Sequence, residues 1–216
     1  MPDRLFTIRP YQSYDRAAVR IIYGTDEFAR PQLMQKYPRM SLYLADSMSH
    51  YYDTESHSAF VAEVKAQVVG ALLGTLDTEK NEQVFRKHIR SLLIKRSLLG
   101  KYGWPGFLLS ILKTHLASPR INAPRVDLGQ YPAHLHIGLL PEWRRQGIGS
   151  SLMSEFEGYL MQQKVPGYHL YASSFHPMGV AFYRKLGLKE MGSFPWRFHN
   201  GVAWMDGTEI IFGKTL

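Results

Sequence analysis

Arg144, Arg145, Gly147 and Gly149 fall between a strand-like run and a helix-like one, and that combination is suited to holding a bulky anion. Upstream, Leu135, Ile137 and Leu139 alternate with His134, His136 and Gly138, the period of two expected of a strand. Downstream, Leu152, Phe156 and Leu160 recur at helical spacing beside Met153. A strand that delivers the chain to a helix N-terminus leaves backbone N–H groups unpaired and aimed at one point, where the helix dipole also favours negative charge. Gly147 and Gly149 carry no Cβ to hold an anion away and tolerate positive φ, while the two guanidinium groups add charge and forked donors. His134 and His136 share one face of the strand and titrate in a range useful for accepting a proton. A histidine on a half-buried strand also serves as a hydrogen-bonded structural residue. No metal site is predicted, because two histidines at i and i+2 lack a third ligand.

Three kinds of phosphate loop can be set against this segment. A P-loop requires a lysine after its last glycine, and none follows Gly149. A dinucleotide loop requires a third glycine at position 152, where Leu152 stands, and a carboxylate after the next strand, which ends in Ala172-Ser173-Ser174. The third kind is Arg/Gln-x-x-Gly-x-Gly/Ala, the pyrophosphate loop of the GNAT N-acetyltransferases, and Arg144, Gly147 and Gly149 match it. Further along, Gly167 to Ala172 reads as a second strand and Pro177 to Leu186 as a short helix closed by Gly187. That helix carries Ala181-Phe182-Tyr183-Arg184-Lys185-Leu186-Gly187-Leu188, which resembles the Phe-Tyr-x-Lys-x-Gly-Phe signature of the same family. The opening Ile8-Arg9-Pro10, with Asp15 before a helix-like run, also looks like a GNAT start, so the resemblance covers most of the chain outside residues 79–126.

The resemblance implies an α/β (α+β) fold, a mixed central sheet flanked by helices in which two parallel strands splay apart. It implies transfer of an acetyl group from acetyl-coenzyme A to an amine by direct attack. On this chain the N–H of Ile137 would then face the thioester carbonyl, a donor of the kind that contributes roughly 3 kcal/mol elsewhere. The N–H of Leu139 would pair with the pantetheine arm. The loop Arg144, Arg145, Gln146, Gly147, Ile148, Gly149 and Ser150 would hold the pyrophosphate. Tyr183 would protonate the leaving thiolate, since a phenol of reference pKa about 10 stays protonated at neutral pH. Two departures stand out. Position 138 is Gly where many relatives place an acidic base, which leaves His134 and His136 as the candidate proton acceptors. His176 stands where many relatives have an Asn that contacts coenzyme A, and imidazole cannot copy both the donor and the acceptor of an amide.

With 216 residues, 45% hydrophobic and 13% aromatic, the chain suits a single globular domain over 1–216. The absence of cysteine excludes disulfides, thiolate zinc and an acetyl-cysteine intermediate. The opening Met1 to Leu5 does not read as a secretory signal and no apolar run approaches membrane-spanning length, so a cytoplasmic location is expected. The charge is concentrated. Residues 79–126 hold ten Lys or Arg against two acidic residues, while the remainder has sixteen of each, so the whole excess of +8 lies in this segment. Phe85, Ile89, Leu92, Leu93 and Leu99 mark an apolar stripe there, followed by a second apolar run from Phe107 to Leu116. The segment reads as a helical insertion between the third and fourth strands, covering the acceptor pocket with a basic outer face.

Ser58 to Val64 and Val68 to Thr75 read as a hairpin, and Pro38 to Tyr52 as helical, with Tyr43, Tyr51 and Tyr52 near the acceptor in the family. Lys189 to Phe194 and Glu209 to Gly213 suggest the last two strands, joined by a connection containing Trp196, Phe198 and Trp204. The expected partner is a small-molecule amine; a homodimer is left open, and no RNA-binding pattern or helix-turn-helix points to specific nucleic acid. Two rivals remain at this level: a non-catalytic coenzyme A-binding or sensing module, suggested by Gly138 and His176, and an anion- or membrane-surface binder acting through the basic insertion.

Overall fold

The computed structural model describes residues 5–24, 35–103, 123–199 and 203–216, and side chains within them up to 197 and from 203. Seven strands form one mixed sheet. They are β1 (Thr7–Pro10), β2 (Ala59–Val64), β3 (Gln67–Thr75), β4 (Ala133–Leu139), β5 (Gly167–Ser173), β6 (Lys189–His199) and β7 (Trp204–Thr215), in the order β1-β2-β3-β4-β5-β7-β6. Among the described residues only β4 and β5 pair in parallel; the other pairs are antiparallel. β2 and β3 carry apolar residues at nearly every position because both faces of the sheet are covered.

On one face lies α6 (Ile148–Gln162), whose Ile148, Leu152, Phe156 and Leu160 meet Leu72, Leu135, Leu170 and Phe212 of the sheet, joined by α7 (Pro177–Lys185) through Val180. On the other lie α1 (Arg16–Tyr23), α2 (Met40–Ser47) and α3 (Ser49–Asp53), with Val19, Ile22, Tyr51 and Tyr52 packed on Val61, Ala71 and Leu73. At up to about 3 kcal/mol for each fully buried large apolar side chain, these two layers dominate the folding energy. The helical reading of Pro38 to Tyr52 thus resolves into two helices that meet at Met48.

The segment between β3 and β4 opens with α4 (Thr78–Val84), capped by Asp77, whose carboxylate accepts from the Lys80 N–H (3.1 Å). A π-helical turn at Phe85–Ile89 continues into α5 (Arg90–Leu98). Ile89 and Leu93 are buried against Met40 and Tyr102, whereas Leu99 lies past the helix end and is exposed, so the buried apolar stripe ends at Leu93. The second run, Phe107 to Leu116, lies outside the described residues.

The last hairpin is longer than its sequence suggests. β6 and β7 stay paired out to His199↔Trp204, so Trp196 and Trp204 belong to strands and not to a connection; the same holds for the backbone of Phe198. Pro195 and Gly207 interrupt the strand pattern in sequence. Pro195 is accommodated because β6 is the edge of the sheet, where a missing N–H need not break a ladder on both sides.

Candidate active site

β4 and β5 run side by side only where Ala133 faces Tyr168 and His134 faces His169. Beyond that point β4 follows β3 to Leu139 and β5 follows β7 to Ser173, and an opening forms between them. Backbone N–H groups alternate sides along a strand, and that of Leu140 points to β3, donating to the Val69 carbonyl at 2.9 Å. The N–H groups of Ile137 and Leu139 therefore point into the opening. On the same side, the Leu139 carbonyl accepts a hydrogen bond from Arg144 (3.3 Å).

A short 3-10 turn at Pro141–Trp143 leads into the loop. Arg145 (φ 64) and Gly147 (φ 83) adopt left-handed conformations, an alternation that makes successive N–H groups converge. Gln146 Nε2 donates to the Glu142 carbonyl (2.9 Å). The first bond of α6 runs from the Ser151 N–H to the Gly147 carbonyl (3.1 Å), so the N–H groups of Ile148, Gly149 and Ser150 precede the helical ladder and suit an anion. The two glycines act differently. Gly147 supplies the left-handed φ, and nothing lies within 4 Å of where its Cβ would be. Gly149 is packed instead: a Cβ there would lie 3.2 Å from Phe182 Cζ and 3.5 Å from Leu139 Cδ1, so this glycine brings α6 onto α7 and β4. An open concave loop of N–H groups beside a strand with two N–H groups turned away from β3 fits a pyrophosphate joined to a narrow arm, as in coenzyme A.

Tyr183 projects from α7, its ring 5.3 Å from Phe182 and 5.6 Å from Phe212. Burial pushes its phenol above the ordinary value, so it stays protonated. Among the described residues its hydroxyl has no hydrogen-bond partner. His176 caps the start of α7, its N–H donating to the Ser173 carbonyl (2.9 Å) and its carbonyl accepting from Gly179 and Val180. A cavity of about 590 Å³ opens beside the first turns of α6, lined by Phe6, Ile8 and Ser154 among others. It shares Ser150 with the loop but reaches none of His134, His136 or Tyr183, so the chemistry is better located by the parted strands.

On the opposite face, α1 explains why position 138 is glycine. A Cβ on Gly138 would lie 2.7 Å from Ile22 Cγ2, and the Tyr23 ring lies 3.6 Å from the same point. The Tyr23 hydroxyl sits 2.9 Å from the His136 carbonyl and 3.0 Å from that of Ala71. Burial, and after it the phenol of Tyr183, pushes Tyr23 well above the usual tyrosine range. Nothing in a motif singles Tyr23 out; its place is visible only once α1 is seen to cross β4.

His134 and His136 both face this side, with ring centroids 4.8 Å apart. His134 also stacks on His169 at 5.0 Å and 8° between planes. His169 is buried with Nδ1 2.9 Å from the Tyr131 carbonyl, a contact that requires the proton on that nitrogen. Burial, and then the neighbouring His50, pushes His136 down to about 4. Burial likewise lowers His50 and His169. The sheet thus presents His136 and His169 as neutral imidazoles beside the opening. Among the described residues no group of three His, Cys, Asp or Glu could hold a metal ion, and no helix is long and apolar enough to cross a membrane.

The comparisons with known proteins fall on the same features. A family model for the acetyltransferase (GNAT) domain matches residues 121–190, which hold both the loop and Tyr183. The crystal structure of SsHAT matches with 25% identity and a TM-score of 0.67, covering 97% of this chain and 98% of that one. A ribosomal-protein-alanine N-acetyltransferase from Brucella melitensis (15% identity, TM-score 0.57, 97% and 99% covered) shares the fold. So does an agmatine N-acetyltransferase mutant in its apo form (13% identity, TM-score 0.59, 98% and 100% covered). With the loop, the parted parallel pair and the second motif all inside it, residues 121–190 match the GNAT acetyltransferase domain, and the chain as a whole shares the fold of these acetyltransferase structures.

Proposed function

We propose that the protein is an N-acetyltransferase that moves an acetyl group from acetyl-coenzyme A to the amine of a small molecule, within one domain. The observation that carries this reading is the opening between β4 and β5, with the N–H groups of Ile137 and Leu139 on one side and the anion loop at its end. Acetyl-coenzyme A supplies an acyl thioester, whose C–S bond breaks as a C–N bond forms to the acceptor. The loop from Arg144 to Ser150 holds the pyrophosphate, Leu139 N–H the arm, and Ile137 N–H is the fixed donor aimed where negative charge develops on a carbonyl oxygen. His176, at the start of α7, lies where it can contact the arm.

Two proton transfers complete the balance. The acceptor loses a proton to His136 or His134. His136 is unprotonated throughout the neutral range and so open to a proton; as a weak base it takes that proton only as the C–N bond forms and the attacking nitrogen becomes acidic, and then returns it to solvent. Tyr183 gives its proton to the departing sulfur, a role supported by its position on α7 and its raised pKa. The test is a screen with acetyl-coenzyme A that follows thiol release across amines, polyamines, aminosugars and peptides. Release with one acceptor class, lost in Tyr183→Phe, is the expected result. Tight coenzyme A binding with no release on any acceptor would overturn the enzymatic reading in favour of a non-catalytic sensor.

A further inference from the structure

The insertion reaches the histidines of β4 through its first turn. Asn81 on α4 and His50 on α3 are each 4% exposed, and Asn81 Oδ1 lies 3.1 Å from His50 Nε2. Among the described residues Asn81 Nδ2 and His50 Nδ1 make no hydrogen bond of good geometry, although the Ser47 backbone still acts on the His50 ring. Retaining a buried polar pair that is only half satisfied opposes folding, and such pairs are kept where they do something apolar residues could not. The surroundings are aromatic. Phe85 covers His50 at 5.4 Å, and the Tyr51 ring lies 4.3 Å from His50 and 5.3 Å from His136, nearly perpendicular to the latter. α4 is itself anchored to the start of β4, because both the N–H and the hydroxyl of Thr78 donate to the Pro132 carbonyl at 2.8 and 2.7 Å.

We propose that His50, held by Asn81, is a positioning residue for His136: its ring fixes Tyr51 against His136, and its charge state sets how readily His136 takes a proton. The proposal rests on His136 being the proton acceptor of the reaction. An amide partner holds an imidazole in place without favouring the imidazolium, as a carboxylate would. His50 therefore stays neutral, and no cation stands behind His136 when a proton arrives. The other groups facing this pair are few. His134 lies beside His136 on β4, the Tyr23 hydroxyl bonds to the His136 carbonyl, and Tyr51 feels Glu55 and Glu82. Glu82 is exposed and paired with Arg86 at 3.5 Å, so it is Asn81 that connects the insertion to the site.

The test uses the full chain with ¹⁵N-labelled imidazoles, and His136→Gln identifies the His136 signal. Asn81→Asp gives His50 a carboxylate. The expected result is a His50 that becomes protonated near neutral pH, a His136 that resists protonation more strongly, and a fall of about tenfold in kcat/KM at pH 7. His50→Phe keeps a ring against Tyr51 and removes the imidazole that competes for protons in acid, where both rings titrate, so His136 should begin to titrate at higher pH than in the parent protein, and the acid limb of the pH–rate profile should move with it. A His136 signal with unchanged titration in both variants, each with a parent-like amide spectrum, overturns the coupling. If Asn81→Asp fails to fold, His50→Phe alone decides. Full activity of His136→Gln would instead overturn the role of His136 as proton acceptor, an outcome visible without reference to His50.

Discussion

At the scale of single residues, the loop and α7 give separable predictions. Tyr183→Phe should lower turnover at least tenfold, about 1.4 kcal/mol, with little change in coenzyme A affinity, as read by steady-state kinetics and calorimetry. Gly147→Val has room for its side chain but not for its backbone, since a β-branched residue at φ 83 costs about 1–3 kcal/mol. It should weaken coenzyme A binding while leaving the rest of the domain folded. Gly149→Leu should behave the other way, lowering the Tm because the new side chain meets Phe182. Retained binding in the first variant, or an unchanged melt in the second, would contradict this division. The glycines themselves were legible in the sequence, as was the missing carboxylate at 138. The reasons were not, because Phe182 and Ile22 approach them from elements 33 and 116 residues away in the chain.

At the scale of elements, one carboxylate gathers donors from both the core and the insertion. Asp46 on α2 is 1% exposed and receives Arg20 from α1 (2.8 Å), Arg96 from α5 and the Tyr102 hydroxyl (2.7 Å). Burial would raise its pKa, but the hydrogen bonds from Tyr102, Arg96 and Arg20 outweigh it and hold the carboxyl below its ordinary value. Its contribution to stability is therefore present above the unfolded carboxylate range and lost as pH falls through the folded value, below about pH 4. Asp46→Asn should destabilise by about 2 kcal/mol at pH 7, less than for a fully sealed pair because both arginines reach solvent, and the difference should be smaller at pH 3. Denaturant melts at the two pH values measure this. The apolar stripe of α5 was readable from its spacing. The Asp46 junction was not, since nothing in one sequence marks which arginine a distant aspartate will meet.

For the whole molecule, the buried imidazoles set the response to acid. His136 falls to about 4, and His50 and His169 are lowered in the same direction, so between the ordinary histidine value near 6.5 and about 4 the unfolded chain binds protons that the folded chain refuses. Stability should fall as pH drops through that window, and His136→Gln should flatten the decline; a Tm independent of pH from 6.5 to 4.5 would refute it. The fold class, the splayed parallel pair and the loop were largely legible because two local motifs mark them, whereas the order of the strands was not. Nor were the surroundings of His136, because they are assembled from α1, α3, α4 and neighbouring strands. The parted strands also have a mechanical meaning. Four strands and three strands are joined by only two paired positions, so the sheet has a seam. A ligand seated there works as the missing stitch between two halves, and amides on β5, β6 and β7 should exchange with solvent as one block that slows when the seam is filled.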